Sequence, residues 1–128
     1  MFEVQVKIGF SSSHHLVGYE GDCARQHGHN FVLEVHVLSD ALDSVGMAVD
    51  FRVLKEALQE LIQRWDHRDL NELEDFVGLN PTAENIARIV YKHLSKLGKN
   101  VCVDKVTVWE NDRCAASYFE RLSNASIK

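Results

Sequence analysis

Apolar and polar residues alternate along two stretches in the first third of the chain. The apolar positions of the first stretch are Phe2, Val4, Val6, Ile8 and Phe10. Those of the second stretch are Phe31, Leu33, Val35 and Val37. Because successive side chains of a strand point to opposite faces, each stretch predicts a half-buried β-strand. The two strands are expected to pair in antiparallel fashion around the loop that joins them.

Two later stretches carry apolar residues at helical spacing, which predicts amphipathic helices with one face toward a core. The first is expected to begin at Asp50, a suitable N-cap, and the second at Asn80 or Thr82, with Pro81 in its first turn. The first stripe comprises Leu54, Ala57, Leu58, Leu61, Ile62 and Trp65. The second stripe comprises Ala83, Ile86, Ala87, Val90, Leu94 and Leu97, and Gly98 follows it.

Two further strands are predicted near the end of the chain. Val106 and Val108 alternate with polar neighbours, and the short run 116–118 follows a turn at Asn111. The element order is therefore ββααββ, an α+β fold in which two helices cover one face of a four-stranded antiparallel sheet. With one proline and no Gly/Ser-rich linker, residues 1–128 are expected to form a single domain.

Composition excludes several classes of function. The net charge of -5 and the absence of a Lys/Arg block argue against a nucleic-acid partner. No apolar run approaches the roughly 20 residues of a membrane span, and a strand rather than a signal peptide is expected directly after Met1. The odd number of cysteines (Cys23, Cys102 and Cys114) shows no paired spacing, which favours a reducing cytoplasm. Cys102 and Cys114 are expected to be packing residues.

Three histidines share the apolar parity of the first two strands. His27 and His29 precede Phe31 at even spacing, and His14 continues the parity of the first strand. Three imidazoles on one face form an open zinc site with a fourth position for water or substrate. Cys23 precedes His27 by four residues and is either a reactive thiol beside the metal or a fourth ligand of a structural zinc. The alternative is that His-Gly-His is a turn with incidental histidines.

Two other groups carry candidate chemistry. Glu110 continues the parity of Val106 and Val108, so that its carboxylate either lies in a pocket or ends the strand in solvent. Asp66 precedes His67 and could orient its imidazole for proton transfer. A histidine at the end of a helix is also favoured by the helix dipole, so that the pair can be purely structural.

Several motifs occur together in one order. They are Phe10-Ser-Ser-Ser-His14-His-Leu16, Cys23-x-x-x-His27-Gly-His29-Asn30, Asp50-Phe51, Leu54-Lys55, Asp66-His67-x-x-Leu70-Asn71, Asn80-Pro-Thr-Ala-Glu84-Asn85 and Glu110. In this combination, from about Phe2 to Tyr118, the chain resembles the 6-pyruvoyl-tetrahydropterin synthase superfamily. The resemblance implies the tunnelling fold, in which trimers of ββααββ units close a barrel and stack into homo-hexamers.

The resemblance also implies a role for each candidate residue. The implied Zn²⁺ ligands are His14, His27 and His29. The implied catalytic group is the thiol of Cys23, with Asp66 and His67 as its partners in proton transfer, and Glu110 would hold the pterin ring. In the family the cysteine and the Asp-His pair come from neighbouring subunits, so the site would exist only in the oligomer.

Loop length separates the branches of this superfamily. Three residues stand between Cys23 and His27, as in the queuosine-pathway 6-carboxytetrahydropterin synthases, whereas pyruvoyl-forming members have a longer spacer. A folate-related branch has glutamate where this chain has Ala24. The resemblance therefore implies a zinc-dependent lyase that converts 7,8-dihydroneopterin triphosphate to 6-carboxy-5,6,7,8-tetrahydropterin, acetaldehyde and triphosphate. The alternatives are a pyruvoyl product or a non-catalytic, zinc-stabilised pterin-binding module.

The chain departs from the family pattern at two positions. Asn111 stands where threonine is common, which leaves one pterin contact open, and His15 stands where arginine is frequent. No Gly-rich phosphate loop is present in the sequence, and Arg25 and Lys55 are the basic candidates for the triphosphate.

Overall fold

The computed structural model describes residues 1–120 and has the predicted order of long elements. The strands are β1 (Phe2–His14), β2 (His27–Ser39), β3 (Arg68–Asp69), β4 (Cys102–Trp109) and β5 (Ala115–Tyr118). The helices are α1 (Phe51–Trp65) and α2 (Ala83–Ser95), and short 3-10 turns cover Asp22–Ala24, Leu70–Glu72 and Glu74–Phe76. The predicted α+β class is confirmed.

The strands form one mixed sheet in the order β3-β1-β2-β4-β5. The four long strands are antiparallel, as predicted, and β1 pairs with β2 along its whole length, from Phe2 opposite Ser39 to His14 opposite His27. The additional strand, β3, pairs in parallel with Ser12 and Ser13 of β1. A two-residue strand has no periodicity of its own, so the sequence could not predict it.

Local signals set the helix boundaries. The side chain of Asp50 caps α1 by accepting the backbone N–H of Arg52 at 2.9 Å. Thr82 caps α2 by accepting the N–H of Asn85 at 3.1 Å, which places Pro81 before the cap. The prediction that Pro81 lies in the first turn was therefore wrong. Leu97 lies beyond α2 and is 39% exposed, so it does not extend the buried stripe.

The end of β1 is tied to the end of α1. The hydroxyl of Ser12 donates to the carbonyl of Trp65 at 2.5 Å, and the N–H of His67 donates to the carbonyl of Ser11 at 2.6 Å. These bonds turn the chain after α1 back along the open edge of β1. They place Asp66 and His67 beside the same end of the sheet that carries His14.

The sheet has one face that does not pack against the helices, and the side chains on that face are largely polar. His36 is 6% exposed, with Glu3 at 3.3 Å from its Nδ1 atom and Glu34 at 2.7 Å from its Nε2 atom.

Cys102 and Cys114 are exposed, so the prediction that they are packing residues was wrong. Both residues lie at or beyond strand ends, where parity no longer decides burial. Among residues 1–120, no helix combines the length and the apolarity required to cross a bilayer.

Candidate metal centre and active site

Three histidine rings converge at the paired ends of β1 and β2. His14 lies opposite His27 in the strand register, and His29 lies one pleat further along β2 on the same face. One nitrogen from each ring can be chosen so that all three lie within 4.8 Å of one another. The ring centroids are 4.6–5.0 Å apart. His27 and His29 lie on one face because side chains two positions apart in a strand point the same way. The register between β1 and β2 places His14 next to them on that face.

Backbone carbonyls orient two of the rings. The Nδ1 atom of His14 lies 2.7 Å from the carbonyl oxygen of Pro81, and the Nδ1 atom of His27 lies 2.7 Å from that of Arg25. A carbonyl only accepts hydrogen bonds, so each Nδ1 must carry the proton. The lone pair is then on Nε2, as in histidines that ligate metals. The Nε2 atom of His14 is buried with no hydrogen-bond partner among the described residues.

The surroundings favour neutral imidazoles. His14 is 2% exposed, and burial lowers its pKa. Burial also lowers the pKa of His29, while the nearby carboxylate of Glu110 acts in the opposite direction. The rings of His14 and His29 pack edge-on against Phe31, which forms an apolar floor. A histidine binds a metal ion only as the neutral ring, so an environment that favours neutral imidazoles also favours metal binding.

The donor set fits a zinc ion. Three neutral imidazole nitrogens, one of them an orphaned buried atom, match the ligand type and number of open zinc sites. Cys23 lies in the loop between β1 and β2 with an exposed side chain and is not part of the cluster. The structure therefore gives no support to a four-ligand structural site within one described chain. His15 is also outside the cluster.

Asp66 and His67 form an oriented pair at the end of α1. One oxygen of Asp66, Oδ1, accepts the N–H of Ser11 at 2.9 Å and lies 3.0 Å from the Nδ1 atom of His67. The hydrogen bond from Ser11 is the main cause of the lowered pKa of Asp66. His67 has a φ of 57°, a left-handed conformation that is unusual for a residue with a side chain. Its ring is largely exposed, so its Nε2 side is open to a substrate or a second subunit.

Glu110 follows β4 and lines a cavity of 170 Å³ together with Glu84 and Cys114. The sequence left open whether this carboxylate lies in a pocket or in solvent. In the structure it is half-buried, and its charge acts on both His14 and His29. Sequence reasoning missed Glu84, which lies in the first turn of α2. A carboxylate in the first turn of a helix is favoured by the helix dipole. The sequence therefore offered no separate reason to place Glu84 beside Glu110.

The two departures from the family pattern have structural roles. The Oδ1 atom of Asn111 accepts the backbone N–H groups of Arg113 and Cys114, which closes the turn after Glu110. The backbone of His15 is held on both sides by the side-chain amide of Asn71, at 2.8 and 3.0 Å. Asn111 therefore shapes the loop beside the cavity, and its amide oxygen is already occupied.

Comparisons with known proteins identify the family of the chain. The family model of 6-pyruvoyl tetrahydropterin synthase matches residues 3–121. The chain belongs to this family. It is 38% identical to the 6-carboxy-5,6,7,8-tetrahydropterin synthase of Synechocystis sp., over 96% of this chain and 98% of the relative. It is 33% identical to the 6-pyruvoyl tetrahydrobiopterin synthase of Dictyostelium discoideum, over 66% of this chain and 72% of the relative.

A solved structure of the family shares the fold. The 6-pyruvoyl tetrahydropterin synthase of Caenorhabditis elegans superimposes with a TM-score of 0.83 at 25% identity, covering 94% of this chain and 96% of that one. The tunnelling fold of the 6-pyruvoyl tetrahydropterin synthase family is therefore confirmed for this chain.

Proposed function

We propose that this chain is a zinc-dependent lyase of pterin metabolism. It would convert 7,8-dihydroneopterin triphosphate and one water molecule to 6-carboxy-5,6,7,8-tetrahydropterin, acetaldehyde and triphosphate, in queuosine or deazapurine biosynthesis. The observation that carries the proposal is the cluster of His14, His27 and His29, in which the buried Nε2 atom of His14 has no hydrogen-bond partner among residues 1–120. Its place beside a cavity that contains Glu110 adds a site for the pterin ring.

The three imidazoles would hold Zn²⁺ through nitrogen atoms and leave its remaining positions to the substrate. Bound there, the ion would supply Lewis acidity to oxygens of the substrate side chain. The carboxylate of Glu110 accepts two N–H groups from the edge of the pterin ring, a planar arrangement that makes charge-assisted hydrogen bonds strong. This contact orients the ring so that its side chain points toward the histidines.

Proton transfer falls to Cys23, Asp66 and His67. The thiolate of Cys23 removes a proton from the substrate side chain, because a thiolate is a strong base and nucleophile. The carboxylate of Asp66 accepts a hydrogen bond from the Nδ1–H group of His67. This bond keeps the ring in the tautomer whose Nε2 atom can accept or return a proton. The bond from Ser11 to Asp66 fixes this pair to the sheet.

A complete site requires several subunits in this proposal. Cys23 and His67 both have exposed side chains and lie outside the histidine cluster, which is consistent with contributions to a neighbouring site. β3 covers only Ser12 and Ser13 on the outer edge of β1, and β5 is the opposite edge of the sheet. Pairing of these edges between copies removes open strands and closes a barrel lined by the polar face. Two such trimers form the proposed homo-hexamer.

The choice of product rests on the loop and on the relatives. The three-residue spacer between Cys23 and His27 sets the position of the thiol over the substrate side chain, and hence the bond that breaks. The relative from Synechocystis sp. is named 6-carboxy-5,6,7,8-tetrahydropterin synthase. This chain is 38% identical to it over 98% of its length. The second candidate is elimination of triphosphate alone, favoured by the name of the D. discoideum relative.

The test is incubation of the purified, zinc-containing protein with 7,8-dihydroneopterin triphosphate, followed by mass spectrometry of the pterin and an assay for acetaldehyde. The expected result is equal amounts of 6-carboxy-5,6,7,8-tetrahydropterin and acetaldehyde. A 6-pyruvoyl product without acetaldehyde would replace the first candidate with the second. Absence of turnover in protein that binds both zinc and neopterin would favour a non-catalytic pterin-binding module.

We also propose that the enzyme acts in the cytoplasm as a single domain. Its three cysteines are free and exposed in the structure. Exposed free thiols are typical of reducing compartments.

A further inference from the structure

Beyond β1 the chain continues as residues 15–17, which we call the anchored segment, before it enters the loop that carries Cys23. As in a strand, the backbone groups that form hydrogen bonds alternate between two sides of this segment. On one side, the N–H of Leu16 donates to the carbonyl of Cys23 at 2.8 Å. On the other side are the N–H and C=O groups of His15 and Val17, which continue the edge of β1 to which β3 is paired.

Two side-chain amides, rather than a strand, occupy this second side of the anchored segment. The Oδ1 atom of Asn71 accepts the N–H of His15 at 2.8 Å, and its Nδ2 atom donates to the carbonyl of the same residue at 3.0 Å. Asn80 makes the same pair of bonds with Val17, at 2.9 and 3.0 Å. A side-chain amide has one carbonyl acceptor and two N–H donors, so it can replace the peptide groups of a neighbouring strand.

Both asparagines are themselves fixed to the body of the domain. The backbone N–H of Asn71 donates to the side chain of Asp69 at 3.2 Å, in the 3-10 turn that follows β3. The carbonyl of Asn80 accepts the N–H of Thr82 at 2.8 Å and the side-chain amide of Asn85 at 2.9 Å. The connection between α1 and α2 therefore determines where the anchored segment lies.

The position of Cys23 depends on hydrogen bonds because its surroundings offer no core packing. Cys23 lies in the 3-10 turn Asp22–Ala24, which contains no buried residue. Inside this turn, the N–H of Arg25 donates to the carbonyl of Asp22 at 3.0 Å. The bond from Leu16 to the carbonyl of Cys23 links the turn to the anchored segment, and hence to the two asparagine amides.

We propose that Asn71 and Asn80 are positioning residues for Cys23. By holding the anchored segment they fix the N–H of Leu16 and, through it, the backbone of Cys23, so that the thiol keeps one place relative to the substrate. The inference rests on the proposed function for the catalytic role of Cys23. Proton transfer needs donor and acceptor within hydrogen-bond reach, and a displacement of about 1 Å can lower a rate by about 100-fold.

The experiment compares zinc-containing Asn71→Ala and Asn80→Ala with the parent protein by hydrogen–deuterium exchange and by steady-state kinetics. In peptides that span Leu16, the protected amide should exchange about tenfold faster, because each variant removes two hydrogen bonds from the anchored segment. With 7,8-dihydroneopterin triphosphate, kcat should fall about tenfold to hundredfold while KM stays within about twofold of the parent value.

Asn100→Ala is the matched control, since this exposed asparagine lines a different cavity at the other end of the sheet and should change neither readout. Asn71→Asp and Asn80→Asp retain the oxygen that accepts the backbone N–H but lose the amide donor, so they should recover part of both losses. Zinc content and oligomeric mass are measured in every variant, because Pro81 follows Asn80 and its carbonyl bonds His14.

Unchanged exchange, or unchanged kcat, in both alanine variants would overturn the proposal. Loss of zinc in proportion to the loss of turnover would also overturn it, because the amides would then act through His14 rather than through Cys23. If exchange rises in both variants but the parent protein converts no pterin substrate, the amides still position the turn that contains Cys23, and the proposed function alone fails.

Discussion

His14 has two structural roles in the proposed site, and replacing it should reveal both. Its Nε2 atom belongs to the metal-binding cluster, and its Nδ1–H bonds the buried carbonyl of Pro81 just before α2. His27 makes the same kind of pair, but it is only half-buried and its carbonyl partner, Arg25, is exposed. His14→Ala and His27→Ala should therefore both lose zinc but should differ in the stability of the metal-free protein.

The expected difference can be derived from these contacts. In His14→Ala the carbonyl of Pro81 loses its partner in a buried position, at a cost of about 1–3 kcal/mol. The missing ring also leaves a void against Phe31, which adds roughly 1 kcal/mol. The free energy of unfolding should fall by about 2–4 kcal/mol in total. In His27→Ala water can reach the carbonyl of Arg25, so the loss should stay below about 1 kcal/mol.

The assay is urea denaturation of chelator-treated proteins, followed by far-UV circular dichroism, with zinc content measured before chelation. All samples need the same protein concentration, because assembly contributes to the stability of an oligomer. His14→Asn is the matched control, since its amide can still donate to Pro81, and it should recover part of the lost stability without restoring zinc. Equal destabilisation of His14→Ala and His27→Ala without metal would refute the reasoning.

Three further predictions test other parts of the site. Cys23→Ala should keep one zinc per chain and lose turnover, because the thiol lies outside the histidine cluster; loss of zinc with the thiol would revive a structural metal site. Glu110→Gln should weaken pterin binding by about 2–5 kcal/mol in calorimetry, whereas the exposed Glu56→Gln should not, and equal affinities would place Glu110 outside the pterin contact. Light scattering should give a mass of three subunits or a multiple, with six expected, and a monomer would exclude the shared site.

The periodicity of apolar residues in the sequence is enough to predict most of the fold. Alternating apolar residues located the four long strands, and the stripes of α1 and α2 located both helices. The same alternation put His14, His27 and His29 on one face, because the face of a side chain in a strand depends only on its position in the pleat. These are local properties, and a sequence records them directly.

Tertiary structure decided how that face becomes a site. The carbonyl of Pro81 has no sequence signal, and it reaches His14 only because α2 packs with its first turn against the end of β1. Likewise, β3 exists only because the chain leaving α1 meets an open edge at Ser12 and Ser13, and this contact holds the Asp66–His67 pair beside the end of β1. Contacts of this kind join residues more than 50 positions apart, and their geometry depends on how whole elements pack.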